Sequence, residues 1–198
     1  GPSYQNRVVV VLMPGSHTVN TTVVMDTQAI DLIGWGEKSA VVIGTADPLI
    51  NATATGGTGA TIRNLILQPN GATNQALHIR DGRVNDVIIN RSPAAGAHGN
   101  LMTINTSATG GFSMKSFEMY GNILVTNYAP QTSLSDGFIL GAVSSTGASA
   151  AATDYLALMN LSNVGGVSFT PPAPFGILLM SNVSMVGAAV YTPNTVIQ

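Results

Sequence analysis

The feature that most limits what this chain can fold into is a unit of two short apolar strands joined at a glycine corner. It is plainest at 29–44, AIDLIGWGEKSAVVIG. Ile30, Leu32 and Ile33 carry the first strand, and Val41, Val42 and Ile43 the second. Gly34, Trp35 and Gly36 stand between them. β-Branched residues favour strands, and glycine permits the tight corner. The expected arrangement buries Ile30, Leu32, Val41 and Ile43, leaves Glu37 and Lys38 exposed, and packs Trp35 against the next turn of chain or a neighbouring subunit.

The theme runs to the C-terminus with connections of uneven length. RVVVVLM at 7–13 is continuous rather than alternating, as in a strand buried on both faces or at a ladder's first turn, and Pro14-Gly15 ends it. Strand candidates follow at 61–68, 76–80, 83–90, 101–105, 112–120, 138–143, 155–161, 177–183 and 186–191. Aligning the second strands places Arg63, Asn85, Lys115 and Tyr155 at equivalent points. The spacings are too irregular for a helical or leucine-rich repeat, but they suit a solenoid whose insertions are confined to its corners. Asn51, Asn64, Asn85, Asn90, Asn105, Asn160, Asn163 and Asn182 recur in or just past strands, as stacked bends would require. A β-sandwich also gives many short strands and stays open as the alternative. The 22 glycines and 10 prolines oppose helices. The stretch 148–159 has helix propensity, yet a loop followed by a strand fits it better. The expected fold is all-β: a parallel β-helix of about seven coils, one domain over 4–198. Gly1-Pro2-Ser3 reads as the remnant of a cleaved tag.

Composition narrows the function classes. The chain is 45% hydrophobic and only 8% charged, with a net charge of −2. Little charge on so much apolar surface implies surface hidden in an oligomer or larger assembly. The seven Lys and Arg are scattered and none follows Lys115, which argues against a nucleic-acid partner. With no cysteine, thiol catalysis and Cys-ligated zinc are impossible. No apolar run approaches the ~20 residues of a membrane-spanning helix, so membrane insertion is not expected.

VVVVLMPGSHTV…TTVVMDTQAIDLIGWGEKSAVVIG resembles the opening of a right-handed parallel β-helix of the pectin-lyase-like superfamily. The matching pieces are Pro14-Gly15, the strand at 17–19, Ile30 and Ile33, Gly34-Trp35-Gly36, and 40–44. IRNLIL and VNDVIIN resemble strands of later coils, and the likeness covers about residues 7–190. That superfamily contains both polysaccharide-cleaving enzymes and inert viral fibres, so the resemblance bears on fold rather than activity. Its hydrolases carry N-T-D, paired Asp-Asp, Gly-His-Gly and R-I-K motifs; this chain offers only Ala97-His98-Gly99. The acidic and glutamine residues of its esterases find no match; its lyases need clustered acids for calcium and a basic residue, and Arg80, Arg83 and Arg91 near Asp81 and Asp86 are the best such cluster.

Among candidate chemical groups, sugar hydrolysis would need two outward carboxylates on neighbouring coils, about 5–10 Å apart. Asp86 and Glu118 stand at related points of successive strands. Asp81 and Asp86 flank one turn, with Arg80, Arg83 and Arg91 nearby. If the chain is an enzyme, Asp81, Asp86, Glu118 and Arg83 are the expected catalytic set; turn capping and solvated ion pairing account for the same residues without chemistry. Trp35 and His78 are candidate glycan contacts. Gly56-Gly57-Thr58-Gly59 lacks the Gly-Lys-Ser/Thr end of a phosphate loop, and Pro171-Pro172-Ala173-Pro174 reads as a stiff turn. No cofactor and no metal site are expected. Two function classes follow. One is a non-enzymatic structural or binding component of a phage or virus particle: a tail spike, fibre or decoration protein. It would be a homotrimer with other virion proteins as partners, located in the virion and able to bind host-surface glycans. The other is an extracellular carbohydrate-active enzyme acting on an acidic polysaccharide.

Overall fold

The computed structural model describes residues 6–27, 29–53, 59–90, 99–128, 130–146, 154–170, 176–191 and 195–197. The expected tag remnant at 1–3, residues 56–58, Arg91, Ala97, His98 and residues 171–174 lie outside them. The first coil holds β1 (Val8–Leu12), β2 (Gly15–Thr18) and β3 (Val23–Val24). The second holds β4 (Ile30–Gly34), β5 (Ala40–Gly44) and β6 (Ile50–Ala52), and the third β7 (Ala60–Arg63), β8 (Leu65–Pro69) and β9 (Leu77–Ile79). Thereafter the first two strands of each coil fuse. The fourth and fifth coils are β10 (Gly82–Ile89) with β11 (Asn100–Asn105), and β12 (Phe112–Met119) with β13 (Asn122–Asn127). The sixth and seventh are β14 (Gln131–Ile139) with β15 (Ala142–Ser145), and β16 (Tyr155–Val164) with β17 (Gly166–Phe169). β18 (Gly176–Met185) and β19 (Ala189–Tyr191) make the eighth, and β20 (Thr195–Ile197) starts another.

The strands assemble into one 12-stranded and one 8-stranded sheet. Each strand pairs with its counterpart one coil away, and the pairs β1–β4, β10–β12, β11–β13 and β16–β18 are all parallel. The chain is therefore a parallel β-solenoid, without helix among the described residues. The β-sandwich alternative falls, because sandwiches are built from antiparallel sheets. The 8-stranded sheet takes one strand per coil. The coils from β4 to β17 have buried inward faces, close to the expected count.

Stacking in register turns each inward position into a column. Leu32, Ile62, Val84, Met114, Leu134 and Leu158 form one, and Ile50, Leu77, Met102, Ile123, Val143 and Val167 another. Tyr128, just past β13, and Phe169, at the end of β17, are fully buried with ring centroids 5.5 Å apart. The alternation in β5 runs opposite to expectation. Ala40, Val42 and Gly44 point inward, while Val41 and Ile43 are half-buried on the outer face. A strand that reads VVI is apolar on both faces, so its pattern does not choose the inner one; the stacked strands β2 and β8 do. In the first coil 8–11 remain between 44% and 49% exposed; among the described residues β1 pairs on one side only, with β4.

Two corners carry the regularity. Arg63, Asn85 and Lys115 do share a register, but the column continues through Ser135 and Met159 rather than Tyr155, which pairs with Gln131. The residue after each of these bends the strand. Asn64, Asp86, Ser116, Asp136, Asn160 and Asn182 all lie in the left-handed region, with φ between 51° and 57°. Asn and Asp tolerate that conformation best among residues with a Cβ. The second corner is a glycine column. A Cβ on Gly141 would meet the Gly121 carbonyl oxygen, and one on Gly187 the Gly165 carbonyl. The stretch 148–159 resolves into strand from Tyr155 onward; 147–153 lie outside the described residues.

Candidate functional site

The bend column opens onto a groove on the outer surface. Its volume is about 480 Å³, and it is lined by Lys38, Asp86, Ser116, Glu118, Asp136, Phe138 and Asn160 among others. The bend puts Asp86, Ser116, Asp136 and Asn160 in line along the solenoid axis, one per coil. Asn160 Nδ2 donates to Asp136 Oδ1 (2.8 Å), and Asn182 Nδ2 donates to Asn160 Oδ1 (3.1 Å). Two positions past the bend, Glu118 and Phe138 are stacked neighbours on the outer face. The Tyr120 hydroxyl donates to Glu118 Oε2 (3.1 Å), and its ring lies 5.5 Å from that of Phe138 at a 47° tilt. The Glu118 carboxylate, by accepting that hydroxyl, holds the Tyr120 phenol above its usual pKa.

The glycine corner of the second coil supplies one wall. Ser39 Oγ donates to the Trp35 carbonyl (2.7 Å) and closes the corner, and Lys38 reaches to 3.8 Å from Glu118. Lys115 Nζ lies 3.6 Å from Asp136 Oδ2. These pairs are well solvated, so each contributes less than about 1 kcal/mol. They still fix where the charges stand.

The expected site residues separate. Asp86 and Glu118 come together in this groove. Asp81 does not: it is buried, and accepts the Ser107 backbone N–H (2.9 Å) and Ser107 Oγ–H (2.6 Å). Arg83 projects from the first half of β10 into solvent, outside the groove. Trp35 is 62% exposed, and its backbone N–H donates to the Leu12 carbonyl of the first coil (2.8 Å). His78 lies on the other sheet, in β9, beside Asn51 and Thr103, and burial pushes its pKa down. Sequence reasoning passed over Lys38, Asp136, Phe138 and Asn160. The signal that finds Asp136 and Asn160 is the Asn/Asp series 64, 86, 136, 160, 182, which requires shifting attention by one residue from the Asn85 alignment.

A separate polar clasp ties the first three coils. Arg7 Nε donates to Asp31 Oδ2 (2.8 Å), its terminal nitrogen binds Asp31 Oδ1, and the Thr61 N–H donates to Asp31 Oδ1 (3.1 Å). Burial raises the Asp31 pKa, but the hydrogen bonds from Arg7 and Thr61 outweigh it and hold the carboxyl below its ordinary value. No group of three or more potential metal ligands converges among the described residues. Comparison with protein-family models, with curated proteins and with solved structures found no match in any of the three.

Proposed function

We propose that this chain is a non-enzymatic structural and binding component of a phage or virus particle: a spike, fibre or decoration domain whose solenoid is a rigid display rod. One observation carries the non-enzymatic part: each candidate catalytic acid has a structural occupation. Asp81 ties down Ser107, Asp86 holds a bend that Asn64 holds one coil earlier, and Glu118 accepts from Tyr120. The sparse charge and the resemblance of 7–44 to pectin-lyase-like β-helices support the particle setting and a right-handed coil. The partners are then two further copies in a homotrimer and other virion proteins. Mass in solution is the direct test. A trimer is expected, and a stable monomer across micromolar concentrations would overturn the assembly.

The presence of Asp86 and Glu118 in one groove favours a second reading, a polysaccharide-cleaving enzyme of the extracellular space. That reading requires reducing-end release from some member of a polysaccharide panel, lost in Asp86→Asn. Asparagine keeps the left-handed bend, so the substitution removes the carboxylate without disturbing the fold.

A further inference from the structure

We propose that the bend groove binds a glycan strand carrying free amino groups, laid along the solenoid axis. The inference rests on the reading of this face as a binding surface rather than a catalytic one. It goes beyond that reading in naming the ligand's chemistry.

The groove's size is that of a ligand site, which commonly runs from about 300 to 1,000 Å³. Its polar groups are not a ring converging on one point. Asp86, Ser116, Asp136 and Asn160 succeed one another coil by coil, at the roughly 4.8 Å step between paired strands. A ligand that satisfies such a row is extended and repeats its own polar groups along its length. A compact metabolite would use one or two rungs and leave the rest to water.

The wall selects among extended polymers. Phe138 lines the groove, and Tyr120 braces it from the side, the two ring centroids 5.5 Å apart on the same outer face. A braced aromatic face takes the flat, C–H-bearing side of a sugar ring at low entropic cost. Gly137 keeps this arrangement open on the inner side: its missing Cβ leaves the space that the Phe117 ring occupies beneath.

Charge then sets the sign. Three carboxylates, Asp86, Glu118 and Asp136, outnumber the two ammoniums beside them, Lys38 directed at Glu118 and Lys115 at Asp136. An acidic polysaccharide would meet like charge at every second rung. Protonated amines meet Asp86 and Asp136 two rungs apart, roughly 10 Å along the axis and close to two sugar residues, and charge-assisted hydrogen bonds to them are the strong kind. Asp136 Oδ1 is occupied by Asn160, and Oδ2 has only the solvated Lys115 at 3.6 Å, which an incoming amine can displace.

The test is calorimetric titration with a β-linked glucosamine hexamer, at a pH where its amines are protonated. Its N-acetylated counterpart, a galacturonate hexamer and a lysine hexamer serve as comparators. The glucosamine hexamer is expected to bind best. Glu118→Gln and Asp136→Asn should each weaken it roughly fivefold to tenfold, and Phe138→Ala by a similar factor. The two charge variants keep size and bend tolerance, and unchanged melting temperatures verify that they fold. Equal or tighter binding of the galacturonate or N-acetylated oligomer overturns the proposal, as does the absence of binding or indifference to all three variants. Equal binding of the lysine hexamer overturns the sugar assignment, since the groove would then read charge alone. Cleavage of a bound hexamer would instead overturn the non-enzymatic reading and leave the groove assignment standing.

Discussion

Asp31 shows how one side chain can govern a coil's response to acid. Its pKa is lowered in the folded state, so the native protein binds its proton less readily than the unfolded chain does. Its contribution is therefore complete above the unfolded value of about 3.9 and is lost as pH falls through the folded one. His78 follows the same sign at higher pH. Its folded pKa is also lowered, and stability begins to fall as pH drops through about 6.5. Urea titrations from pH 8 to pH 3 should show two declines; His78→Gln should remove the upper one and Arg7→Ala should blunt the lower. At neutral pH Arg7→Ala should also cost about 1–3 kcal/mol, because it leaves a buried carboxylate short of its donors. Ser116 gives the opposite kind of prediction. It is the one bend residue from Asn64 to Asn182 that is neither Asn nor Asp, and its φ is 55°. Ser116→Asn should raise stability by about 0.5–1 kcal/mol in the same titrations, since a residue poorly suited to the left-handed region would be replaced by one that accepts it.

At the level of the elements, the strands were readable and their faces were not. The apolar runs at 7–13, 30–33 and 61–68 announced strands correctly, because β-branched clusters have few other uses. Val41 and Ile43 were placed inward in error, because inward and outward positions of β5 are equally apolar and only the stacked neighbours distinguish them. The coil at 131–145 was half missed. Its strand QTSLSDGFI is mostly polar in sequence, yet Thr132, Leu134 and Ile139 point inward on a column set by β12 and β16. The groove was partly legible: Asp86 and Glu118 were singled out, while the wall from the second coil depends on where a corner folds in space. The glycine corner yields a sharper prediction than any strand. Gly141→Ala places a methyl on the Gly121 carbonyl oxygen, backbone against backbone with nothing flexible to yield. It should cost at least about 2 kcal/mol by urea unfolding, beyond the usual 1–3 kcal/mol range of overpacking if the coils cannot separate.

The backbone ladders of the whole molecule form a stack in which each coil pairs only with its neighbours. Stability in such an architecture adds up from coils and the interfaces between them, so the ends open first. Here 8–11 of the first coil are exposed, as are Val186 and Val190 at the other end. Hydrogen exchange should be fastest in β1, β3 and β19. It should be slowest in β10 and β12, and a uniform profile would contradict independent coils. The same exposed, uncharged edges are where a further chain would add strands, so the isolated protein should become less prone to self-association when Val9 or Val11 is replaced by lysine.

The one-residue bend has a consequence for how such a molecule can change over time. Connections at the other two corners range from Gly165 alone to the stretch 90–99, whereas the bend keeps a single residue from the third coil to the eighth. One extra residue there would turn every following side chain of that strand to the opposite face. Two edges of the rod are thus open to insertion and the third is closed. Foreign peptides grafted between β10 and β11 should be carried without loss of the fold, while the groove edge admits substitution but not growth.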